Sequence, residues 1–327
     1  MSGYGKSAVN ATKAVEVINL SKTYGSGVQA VDGLSLAVEK NTIYALLGPN
    51  GAGKTTTISI LTTLASPSAG TARVLGYDVV EDERAVRRSI GVTFQEMVLD
   101  QALTGRQVLM YHGRLYGLSS TECRRRSNEL LSLVDLSDSA DRKCRTYSGG
   151  MKRRLELARA LVTVPNVLFL DEPTLGLDPN GRTRIWTYIA DLMQRTELTV
   201  LLTTHYLDEA EQLADRVGIM EGGRLVADGS PSELIEALGA DTVTLRGEGS
   251  SPALIQRLRG LDEVQGITAV DGGVLIGVSS SSRRIAEIVA AAGEVDFRIK
   301  DVSVAKPNLG SVFFKQTGHE MKNGENV

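Results

Sequence analysis

The stretch GPNGAGKT, residues 48–55, fits the pattern G-x-x-x-x-G-K-[S/T] of a phosphate-binding loop. The apolar run before it, residues 42–47, predicts a buried strand, and the spacing of apolar residues over 54–64 predicts a helix. Glycines in such a loop let backbone N–H groups surround phosphate oxygens, and the helix N-terminus adds partial positive charge. We therefore expect Lys54 to contact the terminal phosphates of a nucleotide and Thr55 to offer its hydroxyl to Mg2+.

The other half of a nucleotide site is predicted at the end of a second apolar strand, residues 167–170. Two carboxylates, Asp171 and Glu172, follow this strand directly. Asp171 is placed to hold Mg2+, directly or through water, and Glu172 is placed to orient or deprotonate a water aimed at the γ-phosphate. An acidic strand end by itself is as often structural as functional, but its pairing with the phosphate-binding loop indicates nucleotide hydrolysis.

The order of the predicted elements indicates two domains. Strands and helices alternate through the first part of the chain, which predicts an α/β domain with a largely parallel sheet covered on both faces. A polar, arginine-rich stretch within it predicts a helical insertion. Beyond residue 238, the order strand-helix-strand-strand-helix-strand predicts a small α+β domain of the ferredoxin-like type. The expected domains are residues 1–239, with a helical subdomain at about 96–160, residues 240–318, and a flexible tail at 319–327.

Composition limits the classes of function. A chain of 327 residues with a net charge of −3 has no basic excess, which argues against a nucleic-acid partner. Its two cysteines, Cys123 and Cys144, indicate free thiols in a reduced compartment, and its three histidines lack paired metal-binding spacing. No run of about twenty apolar residues and no signal-peptide pattern occurs. We therefore expect a cytosolic chain that reaches a membrane only through a partner.

A third motif distinguishes among kinases, GTPases, helicases and other proteins with a phosphate-binding loop. Residues 147–151 read Tyr-Ser-Gly-Gly-Met and precede a basic helix predicted at 152–161. This signature segment resembles the Leu-Ser-Gly-Gly-Gln signature of the ATP-binding cassette (ABC) family, with Tyr147 and Met151 at the outer positions. A small-residue turn at a helix N-terminus suits a phosphate, and in the family that phosphate belongs to the ATP of the opposite subunit. Met151 cannot donate the hydrogen bond that glutamine would.

Four further residues match the ABC family in order and spacing. Gln95 matches its lid glutamine, and Asp178 matches the loop that crosses the dimer interface. His205 matches the switch histidine that touches the γ-phosphate, and Tyr24 matches the aromatic residue that stacks on adenine. A lone histidine is usually structural and a turn tyrosine is often only a surface residue, but the shared order over residues 15–229 favours the functional interpretation.

The resemblance implies a complete set of site residues and the cofactors ATP and Mg2+. Its catalytic residues are Glu172, His205 and Gln95, and its Mg2+ ligands are Thr55, Gln95 and Asp171. Asp178 is implied at the dimer interface. The residues implied to bind ATP are Tyr24, Gly48, Pro49, Asn50, Gly51, Ala52, Gly53, Lys54, Thr55, Thr56, Ser148, Gly149 and Gly150.

A finer resemblance is to the daunorubicin/doxorubicin-resistance group of ABC ATPases. It rests on five stretches of sequence: residues 61–64, 70–74, 147–154, 205–210 and 307–313. The resemblance implies a homodimer that acts peripherally at the cytoplasmic face of the cell membrane with a separately encoded permease. It also implies that ATP hydrolysis drives export of a drug, antibiotic or lipid-like substrate. In this group an acidic residue usually follows the leucine of the last stretch, where this chain has Gly310 and Ser311, which weakens any contact carried by that acid.

Three alternatives differ in how well they fit the sequence. ABC ATPases of polysaccharide, nodulation-factor or bacteriocin exporters have similar sequences and would use the same site. Non-transport ABC ATPases of repair or translation tend to carry long coiled-coil insertions, zinc-binding cysteines or two cassettes in one chain, and none of these is visible in the sequence. A kinase or GTPase is disfavoured by Gln95 and by the Ser-Gly-Gly turn at 148–150.

Overall fold

The chain forms two compact units, one that reaches to Asp228 and one formed by Gly229–Met321. The structure is a computed structural model, and it describes residues 12–25, 27–96, 99–238, 241–261, 264–270, 272–278, 281–305 and 307–321. Most of the predicted tail, residues 322–327, lies outside these ranges. Among the described residues, no helix is long and apolar enough to cross a bilayer.

The first unit contains two sheets, and helices connect most of their strands. Its strands are β1 Lys13–Thr23, β2 Gln29–Glu39, β3 Ile43–Leu47, β4 Ala69–Val74, β5 Tyr77–Asp78, β6 Ile90–Thr93, β7 Val167–Asp171, β8 Thr199–Thr204, β9 Arg216–Glu221 and β10 Arg224–Gly229. Its helices are α1 Lys54–Leu61, α2 Glu83–Ser89, α3 Gly105–Leu115, α4 Ser120–Leu133, α5 Gly149–Ala160, α6 Pro179–Arg195 and α7 Leu207–Leu213.

A six-stranded sheet with the order β10-β9-β3-β8-β7-β6 forms the centre of the first unit. The pairings of β3 with β8 and β9, and of β7 with β6 and β8, are parallel, which confirms the predicted largely parallel sheet. Every residue of β3, β7 and β8 is buried, as is typical of parallel sheets. Because these three strands are parallel neighbours, their carboxyl ends lie side by side at one edge of the sheet.

The strands β1, β2, β4 and β5 form a separate antiparallel sheet in the order β2-β1-β4-β5. Its residues Val15, Leu20 and Val74 belong to the same hydrophobic core as Phe169 and Leu201 of the parallel sheet. The alternation of apolar and polar residues predicts strands in this region. It does not separate them into a second sheet, because that depends on which distant strands pair.

Three helices, α3, α4 and α5, pack against one another where the sequence predicts a helical insertion. Capping boxes begin α3 at Thr104 and α4 at Ser119. The hydroxyl of Tyr147 donates a hydrogen bond to Ser139 O at 2.6 Å, and a Cβ added to Gly105 would lie 2.4 Å from that hydroxyl. The tyrosine of the signature segment is therefore buried within the helical region.

The second unit has its own sheet and its own core. Its helices are α8 Pro231–Glu236, α9 Ser251–Leu258, α10 Ser281–Glu294 and α11 Leu309–Thr317, and its strands are β11 Asp241–Glu248, β12 Val264–Val270, β13 Gly273–Val278 and β14 Arg298–Ala305. The antiparallel order β12-β13-β11-β14 confirms the predicted strand-helix-strand-strand-helix-strand arrangement. Val243, Leu245 and Ile276 of the sheet share a core with Leu254 of α9 and Ile288 of α10.

Candidate active site

The phosphate-binding loop, residues 48–55, joins β3 to α1. Gly53 has a left-handed backbone with a φ of 100°, a conformation that glycine adopts at little cost. A Cβ at Gly53 would lie 2.3 Å from Ala30 O, and a Cβ at Gly48 would lie 2.4 Å from Met220 O. Both neighbours are backbone atoms, so these two positions of the loop accept only glycine without a shift of the chain.

Lys54 is only 4% exposed and lies within the curve of this loop. Its Nζ donates to Gly48 O at 2.6 Å and to Pro49 O at 2.9 Å, and it lies 3.7 Å from Glu172 Oε1. Burial lowers the pKa of Lys54, and the carboxylates of Glu172 and Asp171 act in the opposite direction. The ammonium group therefore has carbonyl and carboxylate partners that phosphate oxygens could replace.

Asp171, at the end of β7, accepts two hydrogen bonds on one carboxylate oxygen. Thr55 Oγ1 donates to Asp171 Oδ1 at 3.2 Å, and Thr203 Oγ1 donates to the same atom at 2.6 Å. Burial raises the pKa of Asp171, and the two hydrogen bonds oppose that rise. Thr55 and Asp171 thus bring a hydroxyl and a carboxylate oxygen together. These are the hard oxygen ligands that Mg2+ prefers, so the residues present fit a magnesium ion.

Glu172 lies directly beyond β7 in a left-handed backbone conformation, with a φ of 49°. Its N–H donates to Thr203 Oγ1 at 3.0 Å, and its Oε1 lies 3.3 Å from Nδ1 of the buried His205. Burial alone would raise the pKa of Glu172, but the neighbouring His205 and Lys54 outweigh it and lower the pKa. Among the described residues, none donates a hydrogen bond to its Oε2. Glu172 is therefore an anionic carboxylate with one buried oxygen that lacks a hydrogen-bond donor.

The loop tip and Tyr24 extend the site toward the surface. Asn50 and Gly51 are exposed, Ala52 is buried, and Thr56 is half-buried on the first turn of α1. Tyr24 is exposed, and its Oη lies 3.4 Å from Thr56 Oγ1. An aromatic ring is therefore held beside the loop, where it could stack on the base of a bound nucleotide.

Five other residues of the predicted set do not join this cluster. Ser148 caps α5 and accepts a hydrogen bond from Met151 N at 3.3 Å, and Asp178 caps α6 and accepts one from Gly181 N at 3.0 Å. Ser148, Gly149 and Asp178 are exposed. Gln95, two residues beyond β6, is exposed as well. In the described parts of the chain, no hydrogen bond connects these residues to Lys54, Asp171 or Glu172. Gly150, next to the exposed turn, lies near Leu177.

The sequence did not identify Arg153 as part of the site. Arg153, on α5, is 4% exposed. Its guanidinium donates to the carbonyl oxygens of Phe94, Asp171, Glu172 and Pro173 at 2.5–2.9 Å. It also forms a buried ion pair with Glu156 at 3.1 Å. The sequence predicted the basic helix after the signature segment, but the cationic residues of that helix resemble an ordinary solvent-exposed face. Because the acceptors of Arg153 are backbone carbonyls, no residue type in the sequence indicates them.

Two other buried groups were also absent from the sequence-based set. Thr203 links both carboxylate-bearing residues, as described above. Glu209, at the start of α7, accepts hydrogen bonds from Thr174 Oγ1 and Trp186 Nε1, both at 2.9 Å. Burial raises the pKa of Glu209. Because Thr174 follows Glu172 closely and Glu209 follows His205 closely, this carboxyl connects the chain segments that carry the two proposed catalytic side chains.

Comparison with known proteins identifies relatives of this arrangement. The family model described as ABC transporter matches residues 31–175. The daunorubicin/doxorubicin resistance ATP-binding protein DrrA of Streptomyces peucetius is 43% identical over 312 residues, which cover 94% of this chain and 93% of that protein. The Nod factor export ATP-binding protein I of Paraburkholderia xenovorans is 45% identical over 244 residues, which cover 72% of this chain and 80% of that protein.

A solved structure resembles about two thirds of this chain. It is the dimeric ATP-binding cassette MJ0796 in a post-hydrolysis state bound to ADP and phosphate. The match has a TM-score of 0.61 and 26% sequence identity, and it covers 66% of this chain and 98% of that one.

We expect Arg153→Met to lower the free energy of unfolding by about 3–5 kcal/mol, because it removes the closer cation of a buried ion pair and leaves four backbone carbonyls without their common donor. Glu156 keeps its longer pairing with Arg159. The substitution should also slow ATP hydrolysis, because the carbonyls around Asp171 and Glu172 lose their common donor. Urea unfolding and a phosphate-release assay measure the two effects. Arg124→Met, at an exposed position of α4, is the matched control and should change stability by less than about 0.5 kcal/mol. Equal stability of the two variants would contradict the assigned role of Arg153.

Proposed function

The chain belongs to the ABC transporter family of ATP-binding, ATP-hydrolysing proteins, and from this membership we propose that it powers the export of a drug-like compound through a separate permease. The proposal rests on how much of the chain each relative matches. The likeness to the drug-resistance relative spans 94% of this chain, whereas the likeness to the Nod factor export relative spans 72%. Export of the Nod factor type is the second candidate, because identity within the shorter span is slightly higher.

In the proposed hydrolysis, the chain's own residues bind the nucleotide and activate water. The loop amides and Lys54 bind the β- and γ-phosphates of ATP. Thr55 and Asp171 would hold Mg2+, with Gln95 as a further ligand, and the ion would neutralise phosphate charge. Glu172 Oε2 takes a proton from the attacking water as its oxygen bonds to the γ-phosphorus and ADP leaves. His205 holds the other carboxylate oxygen and contacts the γ-phosphate.

A second copy of the chain completes the site in this proposal. The Ser-Gly-Gly turn at 148–150 presents the exposed N-terminus of α5, which carries partial positive charge suited to a phosphate. Asp178 is exposed beside it at the start of α6. Two copies facing each other about a two-fold axis would place this turn over the ATP held by the partner's loop. The likeness to a dimeric cassette supports this arrangement.

The permease would bind in a groove near Gln95. The groove has a volume of about 290 Å3 and is lined by Leu64, Phe94, His112 and Tyr116 among others. Leu64 is 63% exposed and Tyr116 is 51% exposed. Burial, with a smaller contribution from the nearby Arg159, lowers the pKa of His112 to about 4, so its ring is neutral at physiological pH. Arg87 and Arg159 also line the groove, but its exposed apolar walls suit a partner's apolar segment. Docking there would hold the chain at the cytoplasmic face of the membrane.

Glu172→Gln should retain ATP binding but hydrolyse ATP about 10²–10⁴-fold more slowly, because the amide keeps the shape of the side chain and loses its basicity. Binding of a labelled nucleotide and phosphate release measure the two properties. Glu197→Gln, at an exposed position, should behave as the unmodified chain does. Turnover above half the normal rate in Glu172→Gln would exclude Glu172 as the base.

Mixing two inactive variants tests the shared site. Lys54→Ala breaks the loop of its own copy, and Ser148→Arg breaks the turn offered to the partner. In a mixed dimer one site carries both changes and the other carries neither, so random pairing leaves about a quarter of all sites intact. Co-expression should therefore restore ATPase activity. No recovery, with mixed dimers shown to form, would contradict a shared site; cross-linking of cysteines introduced near Ser148 and Gly51 then reports whether the two surfaces meet.

Co-expression of the chain with its permease in a daunorubicin-sensitive host should lower the accumulation of daunorubicin in the cells, which the fluorescence of the drug measures. Tyr116→Glu should abolish export and membrane co-purification, because it replaces an exposed aromatic wall of the groove with a charged side chain that a docked apolar segment would bury. Tyr111→Glu, at an exposed tyrosine of α3 outside the groove, is the control. Unchanged accumulation of daunorubicin by an active complex that exports a Nod-factor-type substrate would support the second candidate instead.

A further inference from the structure

The sheet of the second unit has one face that its core does not use. Side chains alternate across a strand, so Val274 and Ile276 of β13 point into the core formed with α9 and α10. Leu275 and Gly277, between and after them, point to the opposite face. A sheet face that carries apolar residues normally packs against another layer, and here helix α11 and the end of α8 approach it.

A cavity of about 310 Å3 lies on that face, entirely within the second unit. We call it the sheet cavity. It is lined by Gly266 and Thr268 of β12, Leu275 and Gly277 of β13, and Phe314 and Lys315 of α11, and it is closed by the chain just beyond α8. Its volume lies at the lower end of the range of about 300–1,000 Å3 that is common for small-molecule sites.

Two paired glycines keep the sheet cavity open. Gly266 lies opposite Gly277 in the register of β12 and β13. A Cβ added to Gly266 would meet no atom within 4 Å, and its backbone is not left-handed. Neither backbone strain nor close packing therefore requires glycine at Gly266. A glycine inside a strand weakens the strand and often marks a bulge or the close approach of another group. The register with β13 shifts between Val264 and Gly266, and a larger side chain at Gly266 would fill the cavity.

The lining selects the chemistry of an occupant. Leu275, Leu238 and the half-buried ring of Phe314 supply apolar and aromatic surface. The hydroxyl of Thr268 and the ammonium group of Lys315 supply one polar side, and Lys315 is exposed in the last turn of α11. The volume of the sheet cavity is within the range of small-molecule sites, so its size suits a small molecule.

We infer that the sheet cavity is a binding site for a small aromatic or aliphatic anion, with its apolar body between Phe314 and the paired glycines and its acidic group at Lys315. This site lies outside the ATP-hydrolysing unit and is independent of the proposed cargo. It gives the second unit a ligand-binding role of its own.

Two fluorescent probes that differ by one charge test the site. Anilinonaphthalene sulfonate is an aromatic anion, and phenylnaphthylamine is its uncharged analogue. With saturating ADP present, titration of the full chain should show saturable binding of both probes. Gly266→Leu should weaken binding of both at least tenfold, because the new side chain occupies the cavity. Ala269→Leu places the same leucine side chain at an exposed position of the same strand and should leave binding unchanged.

Lys315→Gln separates charge recognition from apolar contact. It should weaken binding of the sulfonate about threefold or more and leave binding of the uncharged probe unchanged. Lys300→Gln, on β14, should change the binding of neither probe. Hydrogen exchange should show probe-dependent protection of β12, β13 and α11, a readout that stands even if Gly266→Leu folds poorly. Absence of saturable binding, or protection confined to other elements, would overturn the inference. A tenfold gain in affinity for the probes when the chain is truncated after Met321 would also overturn the inference, because the chain's own last residues would then be the occupant.

Discussion

The hydroxyl of Thr203 joins the two strand ends on which the candidate active site depends. It donates to Asp171 and accepts from the amide of Glu172, so neighbouring parallel strands are connected where their buried carboxylates lie. Buried charges are tolerated only when they are paired or hydrogen-bonded, and Lys54, Thr55 and His205 supply those partners from other parts of the same sheet edge. Hydrolytic chemistry and fold therefore share one requirement: the parallel register that brings β3, β7 and β8 to a common end.

The sequence predicted the parts of this site that local pattern encodes. The loop at 48–55, the carboxylates after an apolar strand and the histidine after the next strand could all be recognised from order and residue type. Arg153 could not, because its acceptors are backbone carbonyls of segments distant in sequence. The separate antiparallel sheet was not predicted either, because alternation of apolar and polar residues predicts a strand but not the strand with which it pairs. Contact of the Ser-Gly-Gly turn with a second copy remains a prediction.

The departures from the family signature have different structural consequences. Tyr147 replaces a leucine, and it uses its hydroxyl on Ser139 O while the missing side chain of Gly105 provides the space. Met151 replaces a glutamine, but its backbone amide still donates to Ser148 Oγ and keeps the cap of α5. The turn geometry thus depends on main-chain atoms and on Ser148. What the methionine removes is a side-chain hydrogen bond beyond the turn.

The contacts of Arg153 also bear on the timing of movement in this unit. The Arg153 guanidinium donates to the carbonyls of residues 171–173 at the end of β7. It also donates to the carbonyl of Phe94, which directly precedes Gln95. Helix α5 cannot turn away from the sheet by losing these bonds one after another, since each donor would then be left buried and unsatisfied. Helix α5, the strand end and Phe94, which lines the groove proposed for the permease, should therefore move together. Such coupling would synchronise a pull at that groove with the alignment of Glu172.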